Sequence, residues 1–470
     1  MPQPNPVKVS GGNTIRDVLA ASAIVLVTTF LFLLPSLYNG FPLVSWDTQS
    51  YLAGIYIPFR SVYYNIFLWI FGMRVSPWPS VVLQSLVVSY TILQFASALF
   101  DITDFPRMFL LVVFLTVGTS LPWFVSCIIP DIFTALMIIA LVLLCFTQDT
   151  LPRLSKIILV MLVGVALAFH QANLPVALWV FPALGLCALL GWRPSRPFLH
   201  GFFASGIGLT LGVAALLTMN LVSGHVGLSR SGSVFLFARM LEDGTALSYL
   251  EQTCPRQHFA VCADLDELKS YNSLHPYPEG SLAGHFIWDG PLAKLGGFTG
   301  EEAEAGAIVR GTLLMYAPAQ LRASVIDGWR QLFLFATGSE ISPWPETDLV
   351  STAILRRFGP AVYDNYRQSK QSRNVLDFSL ISRIDTVVVA ASSLLLIGCL
   401  IFSGAKKQSR SFYATIMMTT MVVGNAFALG ALSGPIERYQ GRVIWLVPLL
   451  AGSFVLNRVN WHQKTKRASA

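Results

Sequence analysis

Residues 18–37 read VLAASAIVLVTTFLFLLPSL, twenty positions without a charge. At 1.5 Å of rise per residue, a helix of about 20 residues crosses a hydrocarbon core about 30 Å thick. Lys8, Arg16 and Asp17 precede the run. No small-residue cleavage site follows it, so a retained membrane helix is expected here and not a signal peptide.

Nine further apolar stretches follow: Trp78 to Leu99, Met108 to Ile129, Ile132 to Gln148, Leu151 to Phe169, Leu174 to Leu190, Phe202 to Val222, Thr386 to Ser403, Phe412 to Leu432 and Val443 to Leu456. Only 12% of the 470 residues are charged, about half the share in ordinary soluble domains. The expected fold class is therefore an all-α polytopic membrane protein with about ten transmembrane helices. The sixth stretch carries Pro175 and Pro182, and prolines are tolerated in such spans where neighbouring helices or a cavity satisfy the freed backbone groups.

Lysine and arginine near span ends stay on the cytoplasmic side. With the N-terminus inside, the cytoplasmic segments hold fourteen of them: Lys8, Arg16, Arg107, Arg153, Lys156, Arg193, Arg196, Lys406, Lys407, Arg410, Arg458, Lys464, Lys466 and Arg467. The short outward loops hold Arg60, Arg74, Arg438 and Arg442. Both termini are expected in the cytoplasm, and a bacterial inner membrane is the expected location. The net charge of +7 is then mostly an orientation signal, and the basic tail anchors to membrane lipid. No nucleic-acid module is present.

Residues 223–383 differ in kind, with fourteen basic and seventeen acidic residues. They are expected to form a large outward, periplasmic loop domain, mixed or mostly helical, between a 1–222 region of seven spans and a 384–470 region of three. Helical pieces are predicted over Val234 to Leu241, Glu301 to Tyr316 and Leu321 to Phe335. Turns are predicted at Tyr277-Pro278-Glu279-Gly280 and Pro343-Trp344-Pro345. Cys254 and Cys262, eight apart on an oxidising side, are expected to form a disulfide. His258 between them completes no standard zinc spacing.

The first outward loop runs Ser45-Trp46-Asp47-Thr48-Gln49-Ser50-Tyr51, and Asp47 is its one acid. Pro58-Phe59-Arg60-Ser61-Val62-Tyr63-Tyr64 follows, and the aromatic, amphipathic stretch from 58 to 74 suits a helix lying in the interface. Asp131 follows Pro130 at the mouth of the third and fourth spans. Each acid has an alternative structural use as the N-cap of the helix it precedes. His170 and Asn173 close the fifth span with polar groups that can bond a substrate or simply the hairpin. Arg438 and Arg442 are four apart on one helix face, and guanidinium forks suit phosphate. Their other use is snorkelling, with Glu437 as partner. His285 to Gly290 and the run Trp329 to Phe335 can contact a saccharide or pack a small core.

The stretch Trp46-Asp47 to Tyr51, Arg60 with Tyr63 and Tyr64, and Gln84 in Val82-Leu83-Gln84-Ser85-Leu86 resemble the GT-C superfamily of polyprenyl-phosphate-sugar-dependent membrane glycosyltransferases. The resemblance covers roughly residues 15–220 and is mostly architectural. Many members carry paired acids that are absent here. The resemblance implies a sugar transferred from a polyprenyl-phosphate donor to an envelope acceptor at the outward face. Asp47 and Asp131 would be catalytic, Arg60 and Tyr63 would lie at the substrate, and a divalent metal ion near Asp131 is a further implication. A positioned carboxylate acting as base contributes about 10²- to 10⁴-fold. Two rival readings are a transporter or lipid-carrier flippase, with the same charges lining its pathway, and an envelope-assembly protein with an outward partner-binding domain. The enzyme reading requires Asp47, Asp131 and Arg438 to converge on one cavity.

Overall fold

The computed structural model describes residues 15–54, 56–72, 75–275, 280–403 and 410–458. Lys8, Arg74, the Tyr277-Pro278-Glu279 turn, Lys406, Lys407, Lys464, Lys466 and Arg467 lie outside the described residues. Among those described, every regular element is helical, and extended pairing is limited to two isolated bridges, Leu43 with Cys127 and Ile57 with Arg60.

Five helices have the length and hydropathy to cross a membrane: Trp78–Phe100, Arg196–Val222, Ser379–Ile401, Arg410–Leu432 and Glu437–Arg458. The other apolar stretches form shorter helices, and proline is the recurring reason. A proline cannot donate to the carbonyl four residues back. Pro182 leaves Leu178 without that bond, and the sixth stretch breaks at Trp179 into Asn173–Leu178 and Val180–Leu189. The last of the five long helices is interrupted in the same way: Pro448 leaves Ile444 without its bond, and Glu437–Arg458 divides at Trp445. Pro35 follows the end of Ile15–Phe32. The third stretch stops as a long helix at Gly118, turns extended at Thr119 and resumes briefly as Leu121–Val125 around Pro122.

Helix Ile132–Phe146 is apolar on every face and buried on every face, as expected of a helix at the centre of a bundle. Trp78–Phe100, Arg153–Phe169, Arg196–Val222 and Arg410–Leu432 surround it. The crossing of Arg153–Phe169 with Arg196–Val222 depends on Gly164, Gly208 and Gly212. A Cβ on Gly208 would lie 2.6 Å from the Val160 carbonyl oxygen.

Segment 58–74 contributes one amphipathic helix, Val62–Ile70, capped by the Ser61 hydroxyl, which accepts from the Tyr63 N–H at 3.2 Å. Tyr64 and Leu68 point inward, while Ile66, Trp69 and Ile70 are exposed.

Residues 223–383 pack in two parts. Val234, Phe237, Leu241, Leu250, Val261, Leu268, Phe286 and Ile308 form a second hydrophobic core of their own, with a Cys254–Cys262 disulfide at its edge. Val350, Ile354, Tyr363 and Tyr366 join the large core of the apolar helices instead. Between the two parts, the predicted pieces 301–316 and 321–335 are one helix, Glu302–Leu332, with non-helical angles at Tyr316 just ahead of Pro318. Its second half lies on Arg410–Leu432, where a Cβ on Gly328 would meet the Phe427 ring at 2.5 Å.

Two glycines of the same helix make a matched test of this packing. Gly208→Ala forces a backbone shift and should cost about 1–3 kcal/mol. Gly206, where a Cβ would meet nothing within 4 Å, should gain up to about 1 kcal/mol on substitution by alanine. Thermal unfolding in nanodiscs reads both, and equal melting temperatures for the two variants would contradict this account of the crossing.

Candidate functional site

Three irregular backbone segments meet at one end of the bundle, and buried amides hold them. The Leu43 N–H donates to the Ser126 carbonyl and the Ile128 N–H to the Leu43 carbonyl, each at 2.9 Å. The Thr48 hydroxyl donates to the Ile128 carbonyl at 3.1 Å. Gln84 Nε2 lies 2.9–3.4 Å from the carbonyls of Phe124, Val125 and Cys127, while its Oε1 accepts from the Tyr64 hydroxyl. Gln371 Nε2 donates to the Val44 carbonyl at 2.6 Å and the Ser342 carbonyl at 2.9 Å, and its Oε1 accepts from the Val44 N–H. Buried non-helical backbone needs such partners, because its polar groups are out of reach of water.

That scaffold presents Asp47, Asp131 and Glu340 to the start of the last helix pair. Neither aspartate caps the helix it precedes. All three carboxylates face Arg438 instead. Arg438 Nη2 lies 2.8 Å from Asp47 Oδ2, Nε lies 3.2 Å from Asp131 Oδ2, and Nη1 lies 2.6 Å from Glu340 Oε2. Each aspartate has a second cation. Arg60 pairs with Asp47, and Arg442 Nη1 lies 3.3 Å from Asp131 Oδ1. Arg442 also reaches Asn425 Oδ1 at 3.3 Å, and Asn425 in turn donates to Gln440 and the Tyr439 carbonyl. Three carboxylates thus face three guanidiniums, and the formal charge of the cluster is zero.

Burial differs sharply around the cluster. The side chains of Arg442 and Asp131 are 0% and 3% exposed, those of Arg438 and Asp47 9% and 10%, and that of Glu340 29%. Arg438 and Glu340 line a narrow cleft together with Trp123, Cys127, Ser339 and Ile341. Although burial opposes charge on Asp47, the guanidiniums of Arg438 and Arg60 outweigh it and hold the carboxyl at about 2. Glu340 is shifted up from the ordinary glutamate range, because burial and the nearby Asp47 and Asp131 outweigh Arg438 and Arg60. At His170, burial first and the Arg442 charge second press the imidazole down to about 3, so it is neutral.

Of the residues singled out in the sequence, Asp47, Arg60, Asp131, Arg438 and Arg442 lie in this one network. Tyr63 and Asn173 do not. The Tyr63 hydroxyl donates to the Ala215 carbonyl at 2.9 Å. Asn173 is fully buried between the Thr134 hydroxyl and the Ala166 carbonyl. Phe286 belongs to the second core. Trp288 packs with Phe59 and Phe298, while Trp329 and Phe333 stack on the exposed side of their helix. Among the described residues no group of three or more His, Cys, Asp or Glu side chains is arranged to hold a metal. The three acids that do converge already share a guanidinium, so these residues do not fit a divalent ion as they stand. Glu340 was not anticipated, although it is the sole ionisable residue between Arg330 and Glu346.

No family model matches this chain, and no curated protein or solved structure does so either.

The scaffold is directly testable. Gln84→Leu strands the Tyr64 hydroxyl and the 124–127 carbonyls, and should cost about 1–3 kcal/mol as a lower unfolding midpoint. An unchanged midpoint would show that Gln84 does not bear the 124–127 backbone.

Proposed function

We propose that the chain is a GT-C-like glycosyltransferase of a bacterial inner membrane. In this reading the ten apolar stretches cross the bilayer, both termini are cytoplasmic, and residues 223–383 lie on the outward side with the site beneath them. The observation that carries it is Arg438, a buried guanidinium that lines a cleft with Glu340 and pairs with Asp47 and Asp131, which do not themselves line it. Ionisable clusters at span ends are functional-site candidates, and a guanidinium fork recognises phosphate oxygens bidentately.

The donor is a polyprenyl-phosphate sugar and the acceptor an envelope hydroxyl. The phosphate falls to Arg438 and Arg60, because Arg442 is wholly buried and spends its donors on Asp131 and Asn425. The acceptor oxygen forms a bond to the anomeric carbon while the bond from that carbon to the phosphate oxygen breaks. The electron pair leaves on the phosphate, and the hydroxyl proton passes to Asp47. A carboxyl held near 2 is a poor proton acceptor at neutral pH. A bound phosphate shares Arg438 and Arg60 with Asp47, and the carboxyl regains basicity as their charge is divided between two anions. Donor binding and base activation are then one event.

Two measurements test this. Reporter fusions after Arg196 and after Lys407 should read cytoplasmic and fusions near Glu279 outward; an inward signal at Glu279 would sink the orientation. In nanodiscs, Asp47→Asn should lower sugar transfer by about 10²- to 10⁴-fold while donor binding survives. Full transfer by that variant removes Asp47 as base. Absence of transfer by the wild type from every polyprenyl-phosphate sugar in a panel, alongside counterflow of a solute, would favour the transporter.

A further inference from the structure

Each nitrogen of Arg438 lies within 3.2 Å of a carboxylate oxygen, although its Nε makes no hydrogen bond. A phosphate that takes both Nη groups as a fork must displace a carboxylate, and the three are not equivalent. Asp47 and Asp131 each keep a second arginine, and their side chains are at most 10% exposed. Glu340 is the most exposed of the three, it lines the cleft beside Arg438, and among the described residues Arg438 is its one cationic partner. We propose that Glu340 is a built-in competitor for the ligand. Its carboxylate occupies the Arg438 Nη1 position that a phosphate ester takes, and it rotates out when the ester enters.

The backbone on either side of Glu340 is anchored, which makes the exchange one of side chain and not of loop. Thr337 donates to Asp385 Oδ2 at 3.2 Å, and the Ser342 carbonyl accepts from Gln371 at 2.9 Å. Charge supports the same exchange. A cluster of three acids and three arginines is neutral, and adding a phosphate to it would bury an uncompensated anion. Sending the Glu340 carboxylate toward the cleft mouth as the phosphate arrives keeps the buried part near balance. Anions without the right shape do not displace it, because the glutamate is tethered and already in place. Glu340 thereby sets both the affinity of the site and its selectivity against small solution anions.

This inference rests on the phosphate-binding half of the proposed function and is independent of sugar transfer. The experiment measures binding of farnesyl phosphate, inorganic phosphate and farnesol to the full-length chain in nanodiscs. It compares wild type, Glu340→Gln, Glu340→Ala and Glu346→Gln, all checked for folding by thermal melt. Both Glu340 variants should bind farnesyl phosphate about tenfold or more tightly than wild type, the worth of one charge-assisted hydrogen bond. Glu346→Gln removes a nearby exposed acid paired with Arg367 and should leave affinity unchanged, separating competition from a general change in field. Added acetate should weaken binding to Glu340→Ala toward the wild-type value, since a free carboxylate can refill the vacated position. A parallel gain for inorganic phosphate marks the headgroup as the whole ligand, whereas a gain for farnesyl phosphate alone marks a lipid phosphate; farnesol should show no gain. Equal or weaker binding in both Glu340 variants overturns the competitor while leaving phosphate binding intact. Failure of every form to bind either phosphate overturns the competitor and the phosphate half of the function together.

Discussion

The Arg438 guanidinium joins four parts of the chain that are far apart in sequence: the loop at Asp47, the entry to the central helix at Asp131, the segment at Glu340 and the last helix pair. Moving such charges out of water is costly, and their mutual attraction offsets the cost only when each has good partners. Here that condition fixes tertiary structure. Asp131 sits at the start of a helix buried on all sides, so it cannot turn to solvent. It is held by Arg438 on one side and by Arg442, itself bonded to Asn425, on the other. The two aspartates are gripped from two directions and Glu340 from one. Rigidity on one side of the cluster and freedom on the other follow from burial alone.

Around that cluster the backbone is irregular for a shared physical reason. Prolines 35, 122, 182 and 448 interrupt apolar stretches that would otherwise run as single helices. Irregular backbone leaves carbonyls that need other donors. Gln84 supplies one after the Pro122 turn, at Val125 and Cys127, and Gln371 supplies one to the loop residues Val44 and Ser342. An ionised residue in those places would add a charge to a cluster already balanced. Broken helices, buried amides and paired charges are consequently one arrangement: the breaks let loops enter the bundle end, the amides hold them there, and the charges use the geometry that results.

Much of this was legible in the sequence because hydrophobic runs and the spacing of Arg438 and Arg442 are local signals. The apolar stretches, the helix after Ser61, the Cys254–Cys262 disulfide and the choice of Asp47, Asp131 and Arg438 as candidates all come from short windows. Glu340 and Gln371 did not, since their meaning lies in partners about 100 and 327 residues away. A lone glutamate in the apolar segment from Gln331 to Pro345 is a usable signal, of the same kind that marked Asp47. The join of 301–316 with 321–335 was hidden for a different reason. Pro318 reads locally as a terminator, yet packing of Gly328 against Phe427 carries the helix past it. Asn173 shows the converse error of emphasis: a polar residue at a helix end looks available until the Thr134 hydroxyl is found on it.

A carboxylate pair would ionise with difficulty in a buried cleft, because like charges close together raise one another's pKa. This site instead brings three acids to one end of the bundle by interleaving three guanidiniums, and the price is that no acid is free in the resting protein. Function at such a site has to begin with an exchange of partners. The ligand best suited to start it is one that competes for guanidinium more strongly than a carboxylate does while carrying its own anchor in the membrane. In the function proposed above, a lipid phosphate would meet both conditions: its oxygens match the fork of Arg438, and its chain would hold it in a bilayer. The same neutrality that stabilises the empty cluster then makes it responsive, since each arriving charge must be matched by one that moves away.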